Sequence, residues 1–284
     1  MLFIRILRAL LYFLPHKGIY VIAWLVAFLA FYLLRFRRSV VMKNLELVYS
    51  EKKTREEKTK IAFYSYVYFL LTMLEFFVAD RVFKKIKVIV DKSLVPNFDE
   101  YKGFYSISIH QGNWELLAAR GGALCKKKIS IISRVIVSPS VDRWVKFQRA
   151  RLGYSVIDRV GKRAAQLMVE LVKNEEVVGF MVDQRRDHDL AIPFFGTLAY
   201  TNTSLVRIAR VHPAPIIPIA IHRKTIDSYV IKIYPPIDLE FTENQEADTI
   251  RNASSMNQAV EKMILDKPNE HYWFHKRWKG FYNY

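Results

Sequence analysis

The sequence predicts an α/β domain with a mostly parallel sheet and helices on both faces, preceded by an N-terminal hydrophobic membrane-anchor helix. Three observations lead to this fold class. Short apolar runs alternate with helical stretches after Lys85, an uncharged apolar segment lies near the N-terminus, and no linker rich in Gly, Ser or Pro follows Arg38. We therefore expect a membrane anchor over residues 1–37 and a single domain over residues 38–284.

The N-terminal segment is apolar and has basic flanks. Residues 1–14 carry Arg5 and Arg8 one turn apart, which is typical of a helix that lies in or enters a membrane interface. After a break at Pro15, residues 19–34 contain no charge and would form about 24 Å of helix. This length is just short of a comfortable membrane span, so spanning and monotopic insertion both stay open, and a buried core helix is the alternative to an anchor. The basic residues that follow the segment place the remainder of the chain in the cytoplasm by the positive-inside rule: Arg35, Arg37, Arg38 and Lys43.

Two helices are expected between the anchor and the sheet. Val41, Leu45 and Val48 share a helical stripe, and Thr54 with Glu57 forms a capping box that opens the second helix. The later part of that helix, residues 61–78, is dense in Tyr, Phe and Leu. We expect it to be buried on most sides or to lie against lipid.

The remaining elements alternate between strands and helices, which favours a largely parallel sheet. Strands are expected at residues 86–90, 103–109, 129–133, 155–157, 177–182, 216–221 and 229–233. Helices are expected at residues 114–123, 141–152, 162–172, 204–210 and 248–265. The last two strands are separated by a short polar turn, so they are expected to pair as a hairpin.

The strongest candidate for chemistry is an H-x4-E motif that begins at His110. His110 ends an expected strand, a polar turn follows, and Glu115 falls in the first turn of the next helix, where the helix dipole favours a carboxylate. The spacing by itself is weak, because His222 and Asp227 have the same spacing. That second pair lies in a strand-turn-strand context without a glycine loop or a following helix, so His110 is the favoured site.

Other polar residues follow strands at the edge of the sheet where His110 is expected. Arg134 follows one expected strand, and Asp183 with Gln184 follows another. Reactive groups gather where parallel strands end, and an acidic residue that ends an apolar strand needs a partner to offset its desolvation. Arg149 and Arg151 end the expected helix before Gly153 and add further positive charge. Surface arginine is the ordinary alternative for each of the three arginines.

The charge balance indicates an anionic partner. The chain of 284 residues has 44 Lys and Arg against 27 Asp and Glu, a net charge of +17. A phospholipid surface, a phosphorylated glycolipid, nucleic acid or an acidic carrier protein would each fit. The basic residues are spread along the chain beside a membrane segment, which disfavours nucleic acid.

Several kinds of site are not supported by the sequence. His271 and His275 have a metal-ligand spacing, but no third ligand is near and the segment is strongly basic, so we expect no metal. No G-x-S-x-G elbow, P-loop or G-x-G-x-x-G motif occurs, so we expect no covalent acyl-enzyme at such an elbow and no cofactor. The single cysteine, Cys125, excludes an internal disulfide and has no adjacent base motif.

Six segments, taken together and in this order, resemble the bacterial lipid A late acyltransferases, the HtrB-type lauroyl and myristoyl transferases. The segments are RRSVVMKNLEL, ISIHQGNWELLAARG, FQRARLGYSVIDR, VDQ with IPFFG, APIIPIAI and PNEHYWFHKRWK. The resemblance covers nearly the whole chain. Lys276 and Trp278 stand where this family usually has Arg and Phe, which leaves the acceptor lipid and the chain-length preference open.

The resemblance implies that His110 is the catalytic base and that Glu115 is its partner. It also implies that Arg151 matches an arginine used in activity, that Asp183 belongs to an Asp-Gln pair, and that the segment around His271 is structural. In this interpretation Glu115 fixes the tautomer of His110, and Arg134, Arg149 and Arg151 hold phosphates. Backbone N–H groups of the turn that ends at Asn113, or an arginine, are expected to stabilise the oxyanion.

The reaction implied by this resemblance is transfer of an acyl chain from a thioester, on acyl carrier protein or CoA, to a hydroxyl group of a glycolipid. The expected location is the bacterial inner membrane, with the catalytic domain on the cytoplasmic side. A different acceptor, such as a lysophospholipid or an aminolipid, is the alternative within the enzymes. A basic, membrane-anchored protein that binds anionic lipid or nucleic acid without catalysis is the alternative outside them.

Overall fold

In a computed structural model, residues 2–133, 138–158 and 162–284 are described, and they confirm the α/β fold with helices on both faces of a sheet. The strands are β1 (Lys87–Asp91), β2 (Phe104–Ser108), β3 (Ile129–Ser133), β4 (Ser155–Asp158), β5 (Val177–Met181), β6 (Leu190–Phe194), β7 (Thr197–Thr201), β8 (Ile216–Thr225) and β9 (Ser228–Ile233). The α-helices are α1 (Leu2–Phe13), α2 (His16–Phe28), α3 (Arg38–Tyr49), α4 (Arg55–Phe77), α5 (Ala79–Lys85), α6 (Trp114–Cys125), α7 (Pro139–Arg151), α8 (Lys162–Lys173), α9 (Ser204–Val211) and α10 (Gln245–Asp266).

The main sheet has seven strands in the order β1-β9-β8-β2-β5-β3-β4. Strand β2 pairs in parallel with both β5 and β8, so it lies at the centre. Strands β8 and β9 are antiparallel, which confirms the expected hairpin, and β1 adds to β9 in parallel. The carboxyl ends of β2, β5, β3 and β4 therefore meet at one edge.

A second sheet of two strands was not predicted. Strands β6 and β7 form an antiparallel hairpin whose turn consists of Phe195 and Gly196 at φ angles of 49° and 75°. Two consecutive positive φ angles are the signature of a tight hairpin turn. Pro193 lies within the first strand, and proline disfavours a strand because it cannot donate a ladder hydrogen bond.

The sheet separates two hydrophobic cores. Alternate residues of β2 point to opposite faces: Phe104 belongs to the core that contains Leu116 of α6, whereas Tyr105 and Ile107 belong to the core beneath α10. Each fully buried apolar side chain contributes about 1.5–3 kcal/mol, so burial of both faces fixes the register of the central strands. That register sets where each strand ends at the edge that carries His110.

The N-terminal helices pack against α4. Helix α2 continues as a π-helix over Leu29–Leu33, and its buried side chains fall on one stripe: Ile19, Ala23, Ala27 and Phe31. Helix α4 begins at the expected capping box, in which Glu57 N donates to Thr54 Oγ1 at 3.2 Å and Thr54 N donates to Glu57 Oε2 at 2.8 Å. Among the described residues, His16–Leu33 and Arg55–Phe77 are long and apolar enough to cross a membrane, and the second is half buried.

Candidate active site

His110 lies at a strand-loop-helix corner, as the sequence predicted. Strand β2 ends at Ser108, and Asn113 caps α6 by accepting a hydrogen bond from Leu116 N at 2.8 Å. Gly112 has a φ of 58°, and a Cβ atom there would lie 2.2 Å from the carbonyl oxygen of Ile221. Only glycine therefore allows the loop to approach β8 this closely.

The partner of the His110 ring is Asp183. Its Oδ1 lies 2.8 Å from His110 Nδ1, and its Oδ2 accepts from the backbone N–H of His110 at 3.1 Å. An ionised carboxylate can only accept, so Nδ1 carries the proton. Within the described parts of the chain, Nε2 has no hydrogen-bond partner, and its lone pair is the one available to take a proton.

The two charges stabilise each other. Burial disfavours the charged form of both groups, but the mutual attraction of carboxylate and ring outweighs it. The pKa of Asp183 therefore lies below its usual value, and the pKa of His110 lies above 6.5, with a further contribution from the Glu115 carboxylate. The His110 side chain keeps 25% of its surface exposed, so the imidazole ring remains accessible.

Glu115 occupies a different position from the one expected. Its carboxylate accepts hydrogen bonds from Arg149 Nη2 at 2.6 Å, from Arg149 Nε at 3.1 Å and from the Tyr154 hydroxyl. It makes no hydrogen bond with the ring of His110 among the described residues. The first helical turn directs Glu115 toward α7, while His110 faces β5. Asp183 thus has the tautomer-fixing contact that the sequence assigned to Glu115, and Glu115 acts on His110 through its charge.

The three candidate arginines differ in burial and in partners. Arg149 is nearly buried, at 14% side-chain exposure, and binds Glu115 through a planar fork. Arg151 is 43% exposed and lies on the surface, 3.7 Å from Asp80 and 3.3 Å from Gln148. Arg134 lies outside the described residues.

Of the remaining two predicted residues, Gln184 faces the cavity and Asn113 does not. Gln184 lines the cavity described below and places Nε2 3.5 Å from His110 Nδ1. Asn113 is fully buried and donates to Glu75 Oε2 at 2.7 Å, so it orients the loop and does not face a substrate.

Two of the three expected oxyanion donors in the turn are already paired. The N–H of Gln111 donates to Ile109 O at 2.8 Å, and that of Gly112 donates to Glu270 O at 3.2 Å. Two other groups beside the cavity are better placed to donate. Ser108 is 7% exposed, and its hydroxyl has no partner within the described residues. Arg149 Nη1 lies 3.4 Å from Ser133 Oγ, a long contact.

A cavity of about 700 Å³ opens beside His110. Its polar end holds His110, Glu115, Arg149 and Gln184. One apolar part runs between α6 and the sheet, and its lining includes Phe98, Phe104, Ser106, Gly121, Gly179 and Ile219. The arrangement combines a base, a fixed cation and an apolar groove, which suits the transfer of an apolar chain.

Comparison with known proteins identifies the family of this chain. The profile of the family described as bacterial lipid A biosynthesis acyltransferase matches residues 1–280. The chain belongs to this family. The resemblance drawn from the sequence motifs is thereby confirmed, and the protein is an acyltransferase.

Three relatives of this acyltransferase carry names from the same family. The lipid A biosynthesis lauroyltransferase of Escherichia coli (strain K12) is 26% identical over 278 residues, which cover 94% of this chain and 87% of the relative. The lipid A biosynthesis palmitoleoyltransferase of the same organism is 28% identical over 257 residues, with 87% and 80% covered. A lipid A biosynthesis acyltransferase of Shigella flexneri gives the same values.

The C-terminal segment of the acyltransferase supports the loop that carries His110. Tyr272 N donates to His110 O at 2.8 Å, and Asn44 of α3 donates to the carbonyl groups of Trp273 and His275 at 2.7 and 2.8 Å. Two segments that carried the resemblance therefore pack on each other beneath the active site. Sequence reasoning missed this contact and the role of Tyr154, because neither is visible without the fold.

The other histidines of this segment and of β8 are structural. Burial lowers the pKa of His271 and of His275 to about 4, and His275 Nε2 accepts from Arg185 N at 3.1 Å. No group of three metal-ligating side chains occurs among the residues described. His222, the competing H-x4-D histidine, lies in β8, is buried with a pKa lowered to about 4, and does not line the cavity.

The raised pKa of His110 predicts a specific pH dependence. A base must be neutral, so kcat/KM should rise with pH and level off above an inflection that lies higher than 6.5. Removal of the negative charge in Asp183→Asn should move that inflection to lower pH. A pH–rate profile of both proteins tests this, and an unmoved inflection would show that another group titrates.

The arginine geometry gives a second prediction. Arg149→Lys should reduce the rate by about tenfold or more, because lysine cannot replace the fork that binds both oxygens of Glu115. Arg151→Lys is the matched control and should stay near the wild-type rate. A large loss at Arg151 with retention at Arg149 would restore Arg151 as the anion-binding residue.

Proposed function

We propose that this acyltransferase moves a fatty acyl chain from a thioester, on acyl carrier protein or CoA, to a hydroxyl group of a lipid A precursor at the cytoplasmic face of the inner membrane. The observation that carries the proposal is the His110–Asp183 pair, which opens on an apolar cavity of about 700 Å³. The names of the relatives, which specify lipid A biosynthesis, support the acceptor class.

His110 Nε2 takes the proton of the acceptor hydroxyl while the oxygen attacks the thioester carbonyl carbon. The Ser108 hydroxyl and Arg149 Nη1 donate to the oxyanion of the tetrahedral intermediate. When the intermediate collapses, the C–S bond breaks and the imidazolium returns the proton to the thiolate. The products are an ester and a free thiol, and no acyl-enzyme is needed.

The acyl chain is proposed to lie in the groove between α6 and the sheet. Ser106 of β2 and Gly179 of β5 are neighbours in register, and both leave space where larger side chains would fill the groove. From His110 to Phe104 the strand advances about 20 Å. A zigzag chain of 1.5 Å bonds advances about 1.25 Å per carbon, so the groove would hold a chain of up to about 16 carbons.

The groove gives a prediction about chain length. Gly179→Val places two methyl groups in the groove, so the rate with long donors should fall at least tenfold relative to short donors, while short donors keep the wild-type rate. Competition between acyl donors of different length measures this ratio. An unchanged ratio would place the acyl chain elsewhere.

The proposed function is tested with purified protein and one donor, which is acyl carrier protein or CoA loaded with one fatty acid. Three acceptors are compared: a lipid A precursor, a lysophospholipid and an aminolipid. We expect mass spectrometry to find one added acyl chain on the lipid A precursor and release of one free thiol per transfer. Transfer only to a lysophospholipid or an aminolipid would refute the lipid A acceptor but retain the acyl transfer. In cells, deletion should lower the acyl count of lipid A by one chain, and the His110→Ala variant should not restore it.

A further inference from the structure

The N-terminal helices are tied to the catalytic domain at three places. The first lies on α1, where Arg8 Nη2 is 2.6 Å from Asp80 Oδ2 and Arg81 Nη2 donates to Leu11 O at 3.2 Å. Leu11 itself is only 2% exposed. Helix α1 therefore packs on α5 and does not extend away from the domain.

The second place is the start of α2. His16 Nε2 lies 2.7 Å from Glu75 Oε1, and His16 Nδ1 lies 2.6 Å from Asp227 Oδ1 in the β8–β9 turn. Glu75 is fully buried and also binds Arg223 through two 3.0 Å contacts. The amino end of α2 is thus joined to the sheet.

The third place is the other end of the same apolar segment. The Tyr66 hydroxyl donates to Phe36 O at 2.5 Å, and Arg37 Nη1 donates to Phe274 O at 2.9 Å. The 18 residues His16–Leu33 would be about 27 Å long as a regular α-helix, so the domain holds both ends of a segment long enough to span a bilayer.

A membrane span is incompatible with these contacts. If α2 crossed the hydrocarbon layer, His16 and Arg37 would lie on opposite sides of about 30 Å of lipid. Their partners, the β8–β9 turn and the C-terminal segment, carry irregular backbone whose polar groups cannot be exposed to hydrocarbon.

The free faces of α1 and α2 have the composition of a lipid-facing surface. Large apolar side chains are exposed there: Leu10 66%, Phe13 86%, Leu25 51%, Leu29 47% and Leu33 66%. Exposed basic residues lie near the two ends of the α2 segment, at Lys17, Arg35 and Arg37. Apolar residues between basic ends fit the headgroup and acyl boundary of an anionic leaflet.

We propose that α1 and α2 lie lengthwise in one leaflet of an anionic membrane and that neither crosses it. This inference rests on the proposed function for its lipid acceptor, and it gives that acceptor a short route. Helix α4 contacts both the N-terminal helices and the loop that carries His110: Phe63 contacts Trp24, and Thr72 donates to Gly112 O at 2.9 Å. Packed helices lie about 8–10 Å apart, so His110 is held close to the leaflet that supplies the lipid.

Topology is tested in cells with the full chain, tagged at either end with the small strand of a split fluorescent protein whose large part is cytosolic. Both the N-terminal and the C-terminal tag should fluoresce, because one leaflet holds both helices. A dark N-terminal tag with a fluorescent C-terminal tag would establish a span and overturn the proposal. This readout needs no activity, so it is independent of the proposed function.

The lipid-facing surface is tested with vesicles of anionic phosphatidylglycerol and purified protein. Leu25→Glu together with Leu29→Glu should weaken vesicle binding at least tenfold, whereas Leu198→Glu, equally exposed at 45% on β7, should bind as wild type. Circular dichroism and thermal melting confirm that each variant is folded. Unchanged vesicle binding with a loss of self-association in the double variant would instead assign this face to contacts between copies and overturn the proposal.

Discussion

His110→Ala should lower the rate of acyl transfer by about 10²- to 10⁴-fold, the usual contribution of a general base. The structure gives the physical reason: Nδ1 is held by Asp183 at 2.8 Å, so Nε2 is the free base beside the cavity, and alanine removes it. Thioester turnover with a lipid acceptor measures the effect, and thermal melting confirms that the variant is folded.

A matched control for this variant is His188→Asn. His188 is exposed and has a φ of 64°, a conformation that asparagine tolerates well. The control should keep the wild-type rate. A loss at His188 that equals the loss at His110 would mean that the assay does not report on the proposed base.

Asp183→Asn should lower the rate of acyl transfer by a similar factor, about 10²- to 10⁴-fold, while the protein stays folded. The amide can donate to Nδ1, which moves the ring proton to Nε2 and blocks the nitrogen that must accept the hydroxyl proton. Asp158→Asn is the control, because Asp158 also ends a strand of the same parallel sheet but pairs with Lys146 on the surface. A wild-type rate for Asp183→Asn would leave His110 without a demonstrated orienting partner.

The strand-loop-helix corner at His110 could be predicted from the sequence because it is a local feature. The strand end, the glycine turn and the helix start lie within a dozen residues, and all three occur in the structure. The same holds for the capping box at Thr54 and the β8–β9 hairpin. Each depends on neighbours in the chain, which a single sequence contains.

The pairing of side chains depends on contacts that the sequence does not contain. Asp183 was placed at the correct edge, but strand order cannot be derived from one sequence, so its position beside His110, just after the neighbouring strand β5, was not visible. The family resemblance implied that Glu115, in the same H-x4-E motif, was the partner of His110. In the structure Arg149 of α7, 34 positions from Glu115 in the chain, donates to both oxygens of the Glu115 carboxylate. Such a bidentate contact is stronger than a single hydrogen bond to a ring nitrogen.

The orientation of the N-terminal segment relative to a membrane could not be predicted from the sequence either. Its composition and length fit both a span and an interfacial helix, and our proposal of the second rests on the contacts of His16 and Arg37 with distant parts of the chain. Similarly, the exposure of Arg151 and the burial of Arg149 could not be read from two arginines that are two residues apart in one helix.

A comparison of single and double variants tests whether His110 and Asp183 act as one catalytic unit. Single-turnover rates of thioester transfer are measured for wild type, His110→Ala, Asp183→Asn and the combination. Once the base is absent its orienting partner has nothing to act on, so the double variant should be as slow as His110→Ala alone. Losses that multiply in the double variant, or an active His110→Ala enzyme, would contradict the account.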